Sequence, residues 1–270
     1  MDTVSVQDVD IPSLGLGTYR LRGGDCIDTI HEALDLGYRH IDTAEYYNNQ
    51  QAVGEAIRTA PVSREEIFLT TKVWRSNLAY EDFLASANES LEKLGLEYVD
   101  LLLIHWPSRT VPIEETLRAM TELQEEGKTR FVGVSNFSVS QLADAREKSD
   151  VPILTDQVEY NPFTSQADLL EYAIDNDVMV TAYSPLAKGK VADNDTLASI
   201  GDRYGKSASQ VALRWLIQQE TVSAIPKASS REHLEANIGI FDFELTDEEM
   251  RTVFELHRSL GGKLRDALGL

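Results

Sequence analysis

Eight short β-rich runs alternate with longer amphipathic stretches along this chain, and that alternation limits the available folds more than any other feature. The runs are LGLGT (14–18), YRHID (38–42), IFLTTK (67–72), VDLLLIH (99–105), FVGVS (131–135), ILTDQV (153–158), VMVTAY (178–183) and VSAIP (222–226). Helical periodicity marks 26–36, 49–59, 80–94, 113–126, 140–148, 165–176 and 208–219. Ser63, Ser138 and Thr246 stand where N-caps are expected, and Gly37, Gly95 and Gly127 where helices end. Near-continuous apolar strands alternating with helices belong to a parallel sheet covered by helices. Eight such units in 270 residues predict one α/β domain over 1–270, a (β/α)8 TIM barrel with an extra C-terminal helix over 245–258. The doubly wound alternative needs a G-x-G-x-x-G turn after its first strand, and Gly15-Leu16-Gly17-Thr18-Tyr19-Arg20 lacks the third glycine.

Composition narrows the function classes. With 45 acidic against 25 basic residues the net charge is −20, which repels nucleic acid phosphates and anionic lipid, and no local basic patch stands out along the chain. The acids are scattered through the helical segments, as on a solvated surface. Salt screens such self-repulsion, which points to a salt-rich host, an ordinary acidic cytosolic protein being the alternative. Cys26 is the only cysteine, so a disulfide scaffold is excluded. The N-terminal stretch MDTVSVQDVDIPSL has no basic or apolar targeting region, and no apolar run reaches about 18 residues. A cytoplasmic protein is expected, a monomer with no membrane or nucleic acid partner.

Barrel enzymes carry their chemistry at the C-terminal ends of the strands. There stand Asp42, Lys72 and His105, with Tyr47 in the loop beyond Asp42. Alternation puts Tyr38, His40 and Asp42 on one face, Phe68, Thr70 and Lys72 on one face, and Leu101, Leu103 and His105 on one face. Singly, each polar residue has an ordinary structural explanation: a turn cap, an ion pair, a core histidine, a packed ring. Together they are costly to bury unless they satisfy one another. A phenol with a pKa of about 10 donates protons poorly at neutral pH; a neighbouring ammonium is expected to lower that pKa, and a carboxylate to hold the ammonium. A histidine beside them orients a carbonyl oxygen. The set suits reduction of an aldehyde or ketone, with a nicotinamide cofactor supplying the hydride that no side chain can.

The stretches GYRHIDTAEYYNNQQAVGEAI (37–57), TKVW (71–74), DLLLIHWP (100–107), GVSNF (133–137), QVEYNP (157–162), AYSPL (182–186) and IPK (225–227) resemble the aldo-keto reductase superfamily, most closely its short prokaryotic members related to 2,5-diketo-gluconate reductases. The resemblance spans the chain. It implies a (β/α)8 barrel and a catalytic tetrad of Asp42, Tyr47, Lys72 and His105. It implies that Ser135, Asn136 and Gln157 hold the nicotinamide carboxamide, that Tyr183 stacks on the ring, and that Ser184, Pro185 and Leu186 run along the pyrophosphate. Lys227 is placed at the adenosine phosphates. In that family an arginine commonly follows six residues later for the 2′-phosphate, then an acid and an asparagine. Here the corresponding positions are His233, Ala236 and Asn237. A histidine offers a phosphate less than a bidentate guanidinium. NADP(H) is therefore expected with relaxed discrimination against NAD(H), Ser229, Ser230 and Arg231 being the remaining donors.

For the substrate, a small or sugar-derived carbonyl compound, Trp74, Trp106 and Tyr46 are expected to form an aromatic pocket with His105, with Tyr19 and Phe137 nearby. The tail SLGGKLRDALGL allows only a short lid. The five histidines show no metal-ligand spacing. The rival readings are a cofactor-binding sensor of the same fold and a barrel hydrolase or isomerase, the latter needing paired carboxylates or metal ligands.

Overall fold

The computed structural model describes residues 2–257. Ten strands and ten helices follow in order: β1 (Thr3–Val6), β2 (Val9–Pro12), β3 (Leu16–Gly17), α1 (Gly23–Asp35), β4 (His40–Asp42), α2 (Gln50–Thr59), β5 (Phe68–Val73), α3 (Tyr80–Leu94), β6 (Val99–Ile104), α4 (Ile113–Glu125), β7 (Thr129–Ser135), α5 (Val139–Lys148), β8 (Ile153–Glu159), α6 (Ala167–Asp175), β9 (Met179–Tyr183), α7 (Asp195–Asp202), α8 (Ala208–Ile217), β10 (Val222–Ala224), α9 (Arg231–Ile238) and α10 (Asp247–Phe254). Strands β3 to β10 pair in parallel with sequential neighbours. The sheet closes where Leu14 bridges Ala224: Gly15 N donates to Ala224 O at 2.8 Å and Ala224 N to Ser13 O at 2.9 Å. Gly17 is required at this seam, because a β-carbon there would stand 2.8 Å from the Ile225 carbonyl oxygen. The (β/α)8 barrel and its extra helix α10 are present; Arg258 and the expected short lid lie outside the described residues.

Side chains that alternate inward fill the barrel in layers. Phe68, Leu101, Leu103, Leu154 and Met179 form the lower layer, sealed by Val4, Val6 and Ile11 of the β1–β2 hairpin. His40 and Thr70 meet above it at 3.2 Å. Burial of each such apolar side chain contributes about 1.5–3 kcal/mol. Ser138 and Thr246 cap α5 and α10 with complete capping boxes, and Ser63 closes a capping box on the single turn Arg64–Glu66.

One facing expectation fails. Tyr38 precedes the paired part of β4, so the alternation does not reach it; its ring packs into the helix layer and its hydroxyl donates to Leu234 O at 3.0 Å. The β1–β2 hairpin, α7 and α9 have no counterpart among the elements expected from the sequence. The hairpin turns on Gln7 and Asp8, both at positive φ (51° and 61°) without a glycine to announce them.

Candidate active site

Lys72 ends the inward row of β5, and the register that sets Asp42 of the adjacent β4 opposite Thr70 leaves Lys72 beside Asp42 at the barrel mouth. Both are buried, at 0% and 1% exposure. The ammonium spends all three of its protons: Nζ donates to Asp42 Oδ1 at 2.5 Å, to Thr43 O at 2.9 Å and to Tyr47 Oη at 3.3 Å. Gln157 Nε2 occupies the other carboxylate oxygen, Oδ2, at 2.8 Å. Because Tyr47 Oη accepts from Lys72, its own proton is left for a partner in the cavity.

Burial opposes the charged form of Lys72, yet Asp42 and Tyr47 outweigh it and hold the ammonium above the ordinary lysine range. The Tyr47 phenol moves opposite to the sequence expectation. Burial raises its pKa by more than Lys72 lowers it, so the phenol stays protonated beyond the ordinary tyrosine range. It lies on the short turn Glu45–Tyr47, closed by Asn48 at φ 52°, and Arg22 donates to its carbonyl oxygen. Glu45, which sequence reasoning passed over, ties this turn to the next loop by accepting from Trp74 N at 3.1 Å, Asn77 Nδ2 at 2.7 Å and Ser86 Oγ at 2.5 Å.

His105 faces the Tyr47 ring edge-on, with centroids 5.8 Å apart, and stands 5.0 Å from Trp74. Burial first, and Lys72 second, push its pKa down to about 3, so the ring is neutral at physiological pH. Tyr46 stacks on Trp74 at 4.2 Å. Asn136, at φ 63°, donates from Nδ2 to His105 O at 3.0 Å and to Ser135 Oγ at 2.9 Å, while Tyr183 donates to its Oδ1 at 2.8 Å. Ser135 Oγ donates to Gln157 O at 2.7 Å.

One cavity of about 460 Å³ gathers Asp42, Tyr46, Tyr47, Trp74, His105, Trp106, Ser135, Asn136, Gln157, Tyr183, Ser184 and Lys227 on its walls. Lys72 sits behind Asp42, and Pro185, Leu186, Ser229, His233 and Asn237 do not line it. Glu159, Lys188 and Ile225 line it without having been anticipated. Arg231, expected as a phosphate donor, is held instead by Asp35 at 2.9 Å and Glu235 at 3.0 Å. Several cations also stand in the loops that follow the strands. Arg20, Arg22, Arg75, Arg109, Lys188, Lys190 and Lys227 all follow barrel strands on the mouth side. Among the described residues no group of three histidine, cysteine or acidic side chains could hold a metal ion.

Asp156, beside Gln157 on β8, is a second residue missed by sequence reading. Its side chain is buried beneath the turn that carries Asn136: Oδ1 accepts from Phe137 N at 3.4 Å, and Oδ2 has no partner among the described residues. Burial raises its pKa from 3.8 to about 8, against backbone donors that lower it. The native protein therefore holds more protons than the unfolded chain between these values, and Asp156 costs stability as pH rises through that window. Asp156→Asn keeps the acceptor and removes the titration. Its urea midpoint should gain on the parent's between pH 5 and pH 9; a constant difference would refute the assignment.

Known proteins resemble this chain over nearly its whole length. Residues 13–258 match the pattern of the "Aldo/keto reductase family". The 9,11-endoperoxide prostaglandin H2 reductase of Trypanosoma cruzi (strain CL Brener) is 41% identical over 260 residues, covering 94% of this chain and 91% of the relative. Glyoxal reductase of Bacillus subtilis (strain 168) is 39% identical over 259 residues, covering 95% and 93%. An aldo-keto reductase (AKR2E5) crystallised in complex with NADPH superposes with a TM-score of 0.88 at 33% identity, covering 94% of this chain and 87% of that one. This chain belongs to the aldo/keto reductase family.

Proposed function

We propose that this protein is a carbonyl reductase that takes NADP(H), with tolerance of NAD(H), and converts small or sugar-derived aldehydes and ketones to alcohols. The observation that carries the reading is the hydrogen-bonded chain from Asp42 through Lys72 to Tyr47, ending in a phenol on the wall of a cavity shared with His105. The residues present fit the cofactor: the cavity runs from Tyr47 to Lys227, and Tyr183 is anchored on its wall through Asn136. Ser135, Asn136, Gln157 and Tyr183 would hold the nicotinamide, Ser184, Pro185, Leu186 and Lys227 the phosphates, and Ser229, His233 and Asn237 the adenosine. When bound, the nicotinamide supplies the hydride. His105, held neutral, orients the carbonyl oxygen among Tyr46, Trp74 and Trp106, and Tyr47 delivers its proton to that oxygen. Gln157 already holds Asp42, so it also supports the proton donor.

A spectrophotometric assay of NADPH consumption with glyoxal, methylglyoxal and aldoses tests the reading; no turnover with any of them sinks it. Support for NADP(H) comes from the NADPH-bound relative, and the departure from strict preference from His233 and the engaged Arg231. His233→Arg should tighten NADPH several-fold more than NADH in fluorescence titrations, because the bidentate fork acts on the 2′-phosphate that only NADPH carries. Equal effects on both cofactors would overturn the assignment. Among the described residues no helix is long and apolar enough to cross a membrane, and we place the protein in the cytoplasm as a monomer.

A further inference from the structure

Strand β8 carries one residue more than its neighbour: Val132 of β7 pairs with Ile153, but Val134 pairs with Asp156. This bulge reverses the facing of the residues after it. Strict alternation from Leu154, which lies in the lower barrel layer, would turn Asp156 inward and Gln157 outward. Instead Gln157 reaches inward to Asp42, and Asp156 is turned the other way, beneath the turn of Ser135, Asn136 and Phe137. The bulge requires Gly133 opposite, where a β-carbon would stand 2.9 Å from the Thr155 carbonyl oxygen. The Phe137 amide donates to Asp156 Oδ1 at 3.4 Å, and the Asn136 amide also favours the anion. Oδ2 has no partner among the described residues.

Holding this turn does not call for a charge. An asparagine would accept from the same amide without the cost of burying an unpaired carboxylate. No cation offsets that cost, since what acts on Asp156 is its burial and the two amides. The faces that α5 and α6 bury are Leu142 and Ala145, and Leu169, Leu170 and Ala173, with no charged side chain among them. The titratable groups near Asp156 are those of the site. Burial first, and then Glu159, Tyr47 and Asp156, raise the Tyr183 pKa to about 12. Gln157 joins Asp156 along the strand to the chain of Asp42, Lys72 and Tyr47. All four residues assigned to the nicotinamide therefore surround this one carboxyl: Gln157 follows it, Ser135 pairs with Gln157, the Asn136 peptide lies above it, and Tyr183 feels its charge. Burial raises the Asp156 pKa to about 8, so it changes charge near neutral pH, which asparagine cannot do. His105 titrates at about 3, and Tyr47 stays protonated beyond the ordinary tyrosine range.

We propose that Asp156 sets the preference of the site between the two redox forms of its cofactor, the carboxylate favouring the oxidised nicotinamide, whose ring is cationic, over the neutral reduced ring. The inference rests on the carbonyl-reductase reading, which places the ring on Ser135, Asn136, Gln157 and Tyr183. The test measures Kd for NADP+ and for NADPH by quenching of tryptophan fluorescence, from pH 6.5 to pH 9, in the parent and in Asp156→Asn. The ratio of the two constants cancels whatever acts on both cofactors alike, including their shared 2′-phosphate, which titrates near about pH 6. Glu159 acts in parent and variant alike. In the parent, Kd for NADP+ over Kd for NADPH should fall about fivefold as pH rises, the scale on which opposite unit charges roughly 15 Å apart attract at an effective dielectric constant of about 20. In Asp156→Asn the ratio should keep the parent's acid-side value throughout. A purely structural role would shift both constants together and leave the ratio flat. The reciprocal effect is read in the parent alone: near pH 8, calorimetry in buffers of different ionisation enthalpy should show NADP+ releasing more protons on binding than NADPH does. A flat parent ratio, a slope that survives in Asp156→Asn, or equal proton release by the two cofactors overturns the proposal. If neither cofactor binds, the carbonyl-reductase reading has failed and the inference with it.

Discussion

Tyr47→Phe should lower the rate of carbonyl reduction by about 10²–10⁴-fold while leaving NADPH affinity within a factor of two or so, since general acid catalysis contributes on that scale. The substitution removes one oxygen. Lys72 then loses its longest hydrogen bond, at 3.3 Å, and keeps Asp42 and Thr43, so the buried ammonium stays paired and the fold should tolerate the change. The direction of the phenol shift adds a pH criterion. Because burial raises the Tyr47 pKa, reduction in the parent should hold through neutral pH and decline only at alkaline pH, beyond the ordinary tyrosine range. His105 adds no acid limb near pH 6, its pKa lying at about 3. The residual activity of Tyr47→Phe should lack the alkaline limb. Normal turnover in the variant, or an alkaline limb that persists in it, would remove Tyr47 from the role of proton donor.

The extent to which this site could be read in advance depended on how its parts are linked. Asp42, Lys72 and His105 end inward rows of consecutive strands, so local periodicity sufficed to place them together. Where a strand is too short the same logic misled, as at Tyr38, which stands before the paired part of β4 and turns outward to Leu234. The bond from Gln157 to Asp42 spans 115 residues, and only barrel closure brings the two together. The sign of the Tyr47 shift was hidden for a different reason. It is a contest between burial and a nearby charge, and the depth of the phenol below the surface decides it. The N-terminal hairpin lacked a turn signal because Gln7 and Asp8 take left-handed conformations that glycine or asparagine usually marks.

The acidic excess reads differently once the barrel is assembled. Scattered along the chain, the mouth-side cations are too few to attract notice against 45 acids. They belong to loops from Arg20 to Lys227, separated by strands and helices, and a (β/α)8 topology returns every one of those loops to the same end. Seven cations thereby share the end of the barrel that carries the site, although none of them stands in the loops after β4, β7 or β8.

The second large effect concerns the buried pair itself. Lys72→Met should cost about 3–5 kcal/mol, because it leaves the Asp42 carboxylate at 1% exposure with Gln157 as its remaining side-chain donor. Asp42→Asn should cost a comparable amount by leaving an ammonium at 0% exposure without a counter-charge. Combining them removes both charges, and replacing a buried ion pair by neutral groups is often close to neutral for stability. The double variant should therefore recover most of the loss seen in either single variant, a non-additivity readable from urea denaturation. Reductase activity should not recover with it. The phenol needs a cationic donor at 3.3 Å to stabilise the phenolate formed as its proton leaves, and methionine cannot supply one. Stability that falls by the sum of the single losses would mean that the two charges do not depend on each other. A double variant that regains both stability and turnover would assign the pair to architecture alone.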